Sequence, residues 1–158
     1  EVFQSFLGQL HSLISEQTMG IFDKKSSKDK LQAKQAKLSD KVEKEFTKAK
    51  EFLALAGIET ESVLFALRSH PASLGAVTRA AWLLESGRIV KISGLPPAYS
   101  REYFPLKEVE GISVSNGLIA SIAIRHKGRY VTFQADSIPA QYFCGLVTEA
   151  LETYSAEN

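Results

Sequence analysis

Residues able to carry chemistry are few and widely separated in this sequence. The chain has a single cysteine, Cys144, and three histidines in three different segments: His11, His70 and His126. Cys144 falls on the apolar side of a predicted helix, where an apolar setting raises the pKa of a thiol and weakens it as a nucleophile. Glu108 and Glu110 are close in sequence, but acid–base catalysis by two carboxylates also requires a defined geometry. Since no Walker loop, dinucleotide-binding glycine pattern, paired-histidine motif or nucleophile elbow occurs, we expect no catalytic residue, metal or cofactor.

Lysine is concentrated in one stretch of the chain. Ten lysines lie between Lys24 and Lys50, against five acids from Asp29 to Glu51, although the formal net charge of the whole chain is only +1. One interpretation is a solvated helix with local Glu–Lys pairs. The other is an electrostatic arm that touches an anionic membrane, nucleic acid or an acidic partner, with candidate polyanion contacts at Lys24, Lys25, Lys28, Lys30 and Lys34. The stretch contains no arginine, which argues against shape-specific phosphate recognition, and we expect no specific nucleic-acid ligand.

The first residues of the chain have an amphipathic pattern. Apolar side chains recur at three- and four-residue spacing, which predicts one face of a short helix: Phe3, Phe6, Leu7, Leu10, Leu13 and Ile14. Ser and Gln fill the opposite face, whereas helices that lie on membranes usually carry basic residues there. We therefore expect Phe3, Phe6, Leu7, Leu10 and Leu13 to bind an apolar groove of this molecule or of a neighbouring copy. The only methionine is Met19, and residues 1–18 are interpreted as a processed remnant, an upstream extension or a fused segment.

A long helix is predicted over about residues 27–56. Its interior consists of Ala, Lys, Gln, Glu and Leu, which are strong helix formers. Ser26 or Ser27 is the expected N-cap and Gly57 the expected C-cap. A sparse apolar stripe strengthens toward the end of the helix, so the second half is expected to dock on the body of the protein.

Short strands follow from about residue 62. Alternating apolar residues, separated by turn signals at Ser86-Gly87, Asn116-Gly117 and Lys127-Gly128, predict six or seven antiparallel strands. The chain then ends in an amphipathic helix that begins near Ser137 and carries a continuous apolar stripe: Phe143, Leu146, Val147, Ala150, Leu151 and Tyr154. We therefore predict an α+β fold, in which the helix closes one end of a bent antiparallel sheet or barrel.

Residues 62–154 resemble the bacterial pleckstrin-homology (PH)-like family. The resemblance is carried by residues 80–90, which read AAWLLESGRIV, and by residues 104–114, which read FPLKEVEGISV. The second segment is similar to the family pattern of an aromatic or aliphatic residue, Pro-Leu, and spaced aliphatic residues that enter a strand. The resemblance implies a PH-like sheet closed by a C-terminal helix. It does not fix an activity, because the PH fold serves lipid binders, peptide binders and oligomeric modules.

These patterns predict three regions: an amphipathic segment at 1–18, a linker and Lys-rich helix at 19–57, and a PH-like domain at 58–158. The expected function is a non-enzymatic protein-interaction or assembly module, with a protein partner or a second copy of the chain as its ligand. The alternative is peripheral association with an anionic membrane through the Lys-rich helix. We expect a cytoplasmic location in either case, at the membrane surface if the alternative holds.

Overall fold

The computed structural model describes residues 24–71, 79–95 and 97–157, with side chains described from residue 27 onward. In chain order the elements are α1 (Lys24–Leu55), β1 (Val63–Arg68), β2 (Ala81–Glu85), β3 (Arg88–Leu95), β4 (Ala98–Pro105), the 3-10 turn η1 (Leu106–Glu108), β5 (Val109–Val114), β6 (Ile119–His126), β7 (Arg129–Asp136) and α2 (Ser137–Glu157).

The described strands form two antiparallel sheets. One has the order β1-β2-β3-β4 and the other has the order β5-β6-β7. A main-chain hydrogen bond from the N–H of His70 to the carbonyl of Gln134, 2.7 Å long, joins the end of β1 to β7. The expected α+β class, with antiparallel strands and a C-terminal helix, is confirmed, but the two sheets do not form a closed barrel.

Two compact units divide the chain, Glu1–Glu43 and Lys44–Asn158, and the boundary falls within α1. The helix is described from Lys24, so Ser26 and Ser27 lie inside it and do not cap it as expected. Serine in a helix interior costs only about 0.5 kcal/mol relative to alanine, which is too little to end a lysine-rich helix.

The end of α1 follows the sequence prediction. Gly57 has φ +74°, a left-handed conformation that glycine adopts without a steric penalty. The N–H of Ile58 donates to the carbonyl of Leu53, and the N–H of Gly57 donates to that of Ala54, at 2.9 and 3.0 Å. These two bonds form a Schellman motif, which satisfies carbonyls that the helix would otherwise leave unpaired.

One face of the four-stranded sheet packs against the last turns of α1. Ala49 and Leu53 are fully buried there with apolar residues from the first three strands: Val63, Ala66, Ala81, Leu83, Val90 and Ile92. Phe46 and Phe52 cover the margin of this cluster. The second half of α1 is therefore part of the core of the Lys44–Asn158 unit.

The other face of the same sheet is lined by aromatic rings. Trp82 stacks on Phe133 of β7, with ring centroids 4.2 Å apart and planes 9° from parallel. Phe133 in turn meets the ring of Phe143 on α2 edge to face. Trp82 and Phe143 are both buried. Because β2 faces apolar groups on both sides, Ala81–Leu84 is a continuous buried run.

The C-terminal helix α2 buries one stripe of its surface. The buried residues end at Val147, and Leu151 and Tyr154 farther along the helix are half-buried. Neither described helix is long and apolar enough to span a bilayer.

Candidate functional site

The proposed contacts of the N-terminal segment, Phe3, Phe6, Leu7, Leu10 and Leu13, lie outside the described residues, as do the side chains of Lys24 and Lys25. Lys28, Lys30 and Lys34 are exposed on α1. Successive helical residues are about 100° apart, which places Lys28 on the side of the helix away from Lys30 and Lys34.

Cys144 lies on the buried stripe of α2, in the apolar setting that the sequence predicted. Burial raises the pKa of its thiol to about 11, because a thiolate would lose its hydration there. At neutral pH this thiol is therefore protonated and weakly nucleophilic.

Two of the histidines pair with carboxylates at separate places. His70 Nε2 lies 2.8 Å from Asp136 Oδ1, and His126 Nε2 lies 3.0 Å from Glu108 Oε2. No group of three or more His, Cys, Asp or Glu residues that could hold a metal ion occurs among the described residues. Each pair joins two elements: the first links the end of β1 to β7, and the second links η1 to β6.

Glu108 and Glu110 have structural partners at the turn between β6 and β7. The hydrogen bond from His126, with a smaller contribution from Lys127, lowers the pKa of the Glu108 carboxyl. Glu110 accepts a hydrogen bond from the N–H of Gly128 at 2.9 Å and pairs with Arg125 at 2.7 Å. These two carboxylates therefore hold the β6–β7 turn against the start of β5.

A groove of about 370 Å³ lies between the start of β5 and the last turns of α2. Its apolar lining comes from Leu106 and Val109 on one side and from Leu151 and Tyr154 on the other. Lys107, Glu110 and Ser155 line its polar margin. The groove thus presents apolar and polar groups together, with one charge of each sign at its rim.

The groove lies at an unpaired sheet edge. β5 is the outer strand of its sheet and pairs on one side with β6. The N–H of Ser115 donates to the carbonyl of Ser121, and main-chain groups alternate in direction along an antiparallel strand. In the regular register from Gly111 to Val114, the peptide groups of Ile112 and Val114 therefore point away from β6. Among the described strands none pairs with the outer edge of β5, and the C-terminal helix α2 packs beside this strand.

Two further cavities lie on the Lys44–Asn158 unit. One, of about 430 Å³, is lined by Trp82 and by polar residues that include His70, Arg79 and Lys91. The Lys91 ammonium lies 5.5 Å from the centre of the Trp82 ring, and His70 is paired with Asp136. The other, of about 540 Å³, lies beside Phe52 and Leu95 and contains both acidic and basic side chains. Neither mixture of groups selects one class of ligand.

Sequence reasoning did not identify the β5–α2 groove as a site. The strand signal for Val109 and the helical stripe with Leu151 and Tyr154 were visible, but no local pattern indicates that these elements meet. Comparison with protein-family models finds no match for this chain, and a search of curated proteins finds no significant relative. Function is therefore inferred from topology and from surface geometry.

Proposed function

We propose that this chain is a non-enzymatic protein-interaction module built on a PH-like domain, and that an extended segment of a partner protein binds at β5. The PH-like assignment is supported by the order of the elements: seven described strands in sheets of four and three, followed by one helix. That order agrees with what the resemblance of residues 62–154 implies.

The observation that carries the binding proposal is the groove beside the outer edge of β5, with which no described strand pairs. An extended peptide can add to such an edge, where main-chain hydrogen bonds provide affinity and pockets for alternate side chains provide specificity. The outward peptide groups of Ile112 and Val114 supply the main-chain donors and acceptors. Leu106 and Leu151 offer the groove's contacts to an aliphatic side chain of the partner, beside the polar groups of Lys107, Glu110 and Ser155.

A random peptide library displayed on phage tests this proposal with the full chain as bait. We expect enriched peptides that share an apolar residue flanked by residues of high β-propensity. Binding of a selected peptide should slow amide exchange at Ile112 and Val114, because their N–H groups become hydrogen-bonded.

Two variants separate edge pairing from groove filling. Ile112→Pro removes one outward donor and leaves the bonds to β6 in place, since proline is tolerated where an edge N–H faces solvent. Leu151→Ser removes apolar lining from the half-buried side of the groove. We expect each of these two variants to weaken the binding of a selected peptide at least tenfold. The matched control, Arg101→Pro on β4, the outer strand of the other sheet, should bind the peptide as the wild type does. Equal binding by all three variants, or a library without enrichment, would refute the β5 site.

Self-association through the N-terminal segment is a second form of the same function. The amphipathic stripe at Phe3, Phe6, Leu7, Leu10 and Leu13 supports it, because such a stripe exposed to water is a liability unless it is covered. Changing Phe6 and Leu10 together to serine should lower the mass measured by light scattering or raise the protease sensitivity of the segment. An unchanged mass together with an unchanged cleavage pattern would contradict this docking.

A further inference from the structure

Four exposed lysines form a straight row on α1 within the Glu1–Glu43 unit: Lys30, Lys34, Lys37 and Lys41. Their spacings of four, three and four residues keep them within an arc of about 60°, since successive helical residues are about 100° apart. At a rise of 1.5 Å per residue the row is about 16 Å long. These residues, which we call the lysine row, lie on one side of the helix.

The acidic residues of α1 in the Glu1–Glu43 unit lie away from the lysine row, whereas Glu45, beyond that unit and one turn after Lys41, is buried and paired with Arg68. On the same helical geometry Asp29, Asp40 and Glu43 are about 90–150° from the centre of the row. The charge of this segment is therefore divided around the helix, although acidic and basic residues alternate along the sequence. Local Glu–Lys pairing alone does not require this division.

We infer that the lysine row is a contact surface for an anionic lipid bilayer. A helix is about 10 Å wide, which is close to the Debye length of about 8–10 Å at physiological salt. A planar anionic surface that faces the lysine row therefore attracts these lysines strongly, whereas it repels the acids on the far side of α1 only weakly because salt screens them. Lysine ammonium groups near an anionic leaflet are known to add to binding without a specific pocket.

The composition of α1 favours a bilayer over nucleic acid. The helix contains no arginine, the side chain whose planar fork matches phosphate in two hydrogen bonds. The aromatic residues of α1, Phe46 and Phe52, lie beyond the lysine row, so within Lys24–Leu55 no ring lies along the row to stack on bases. A row of point charges without stacking groups fits a flat anionic surface.

Vesicle co-sedimentation of the full chain tests this inference. We expect binding to phosphatidylserine–phosphatidylcholine vesicles at low salt, no binding to pure phosphatidylcholine, and release at high salt. Changing the four lysines of the row to glutamine should lower the partition coefficient on the order of several hundred-fold, from about fivefold for each lysine. Changing them to arginine should retain binding, because the charge is kept.

A control variant with the same loss of charge elsewhere gives the decisive comparison. It changes four exposed residues to glutamine: Lys28, Arg79, Arg101 and Arg129. This variant should bind the anionic vesicles nearly as well as the wild type. Equal losses of vesicle binding in the two variants would show that only the net charge of the protein matters. That result would overturn the assignment of the lysine row as the contact surface. Tighter binding of random-sequence DNA or RNA than of vesicles at the same salt would also overturn the bilayer assignment.

Discussion

The ion pair between Glu45 and Arg68 connects α1 to β1, and its coupling energy tests how strongly this contact stabilises the fold. Arg68 donates from Nε and Nη2 to the two carboxylate oxygens at 3.0 and 3.1 Å, and its main-chain N–H also donates to Glu45 at 3.1 Å. The hydrogen bond to Glu45 raises the pKa of Arg68. The side chain of Glu45 is 9% exposed and that of Arg68 is 23% exposed.

This difference in exposure predicts unequal costs for the two single substitutions. Arg68→Met leaves a nearly buried carboxylate without its cation, and breaking such a pair costs about 3–5 kcal/mol in free energy of unfolding. Glu45→Ala leaves a guanidinium that water can partly reach, so we expect about 2–3 kcal/mol from its charge-assisted hydrogen bonds. The double variant leaves one unpaired main-chain N–H, for which we expect about 1–3 kcal/mol. The coupling energy should therefore exceed about 2 kcal/mol.

Urea unfolding followed by the fluorescence of Trp82, the single tryptophan, measures the four free energies of this cycle. The matched control is the pair of Arg125 and Glu110, whose side chains are 52% and 44% exposed. Its coupling should stay below about 1 kcal/mol, as is usual for surface ion pairs. A coupling below about 0.5 kcal/mol for Glu45 and Arg68, or a larger cost for Glu45→Ala than for Arg68→Met, would refute this reasoning.

Three further outcomes follow from the core and from the shifted pKa values. Trp82→Ala and Phe143→Ala should each lower the free energy of unfolding by about 3–5 kcal/mol in urea titrations, and a loss below about 1 kcal/mol for both would show that the core is misassigned. Cys144, with its pKa raised to about 11, should react with a thiol reagent at pH 8 far more slowly in the native protein than in guanidinium, and equal rates would contradict its burial. Because the pKa of Glu108 is lowered from 4.5, its carboxylate stabilises the fold above that pH, and this stability is lost as the pH falls through the lower folded value. Glu108→Gln should therefore reduce the loss in free energy of unfolding as the pH is lowered below 4.5. An unchanged pH dependence in this range would exclude a contribution from Glu108.

Much of the element order could be read from local patterns, because periodicity and turn chemistry act over a few residues. The alternation of apolar residues predicted the strands, and the glycine at position 57 predicted where α1 ends. At Lys127-Gly128 both residues have positive φ, +51° and +76°, as the predicted tight turn requires. Local prediction was less successful at Asn116-Gly117, where β5 ends at Val114 and β6 begins at Ile119, so the connection has four residues.

The lysine row is also a property of the sequence, since a helical period converts the spacing of four lysines into one face without any tertiary contact. The groove is different. Val109 and Leu151 are about forty residues apart in the chain, and each belongs to a pattern that is complete without the other. A period shows which face of an element is apolar but not which other element covers it, so only the folded chain brings β5 and α2 together.

For the same reason, the sequence shows which residues are charged but not which of them form ion pairs. Glu45 reads as one acid among many lysines, and Arg68 reads as the end of a strand, 23 residues later. Burial decides that these two groups meet, because a carboxylate removed from water requires a cation and hydrogen-bond donors within reach. The sequence by itself determined the elements and the lysine row, whereas the packing of α1 on β1 and of α2 beside β5 determined the ion pair and the groove.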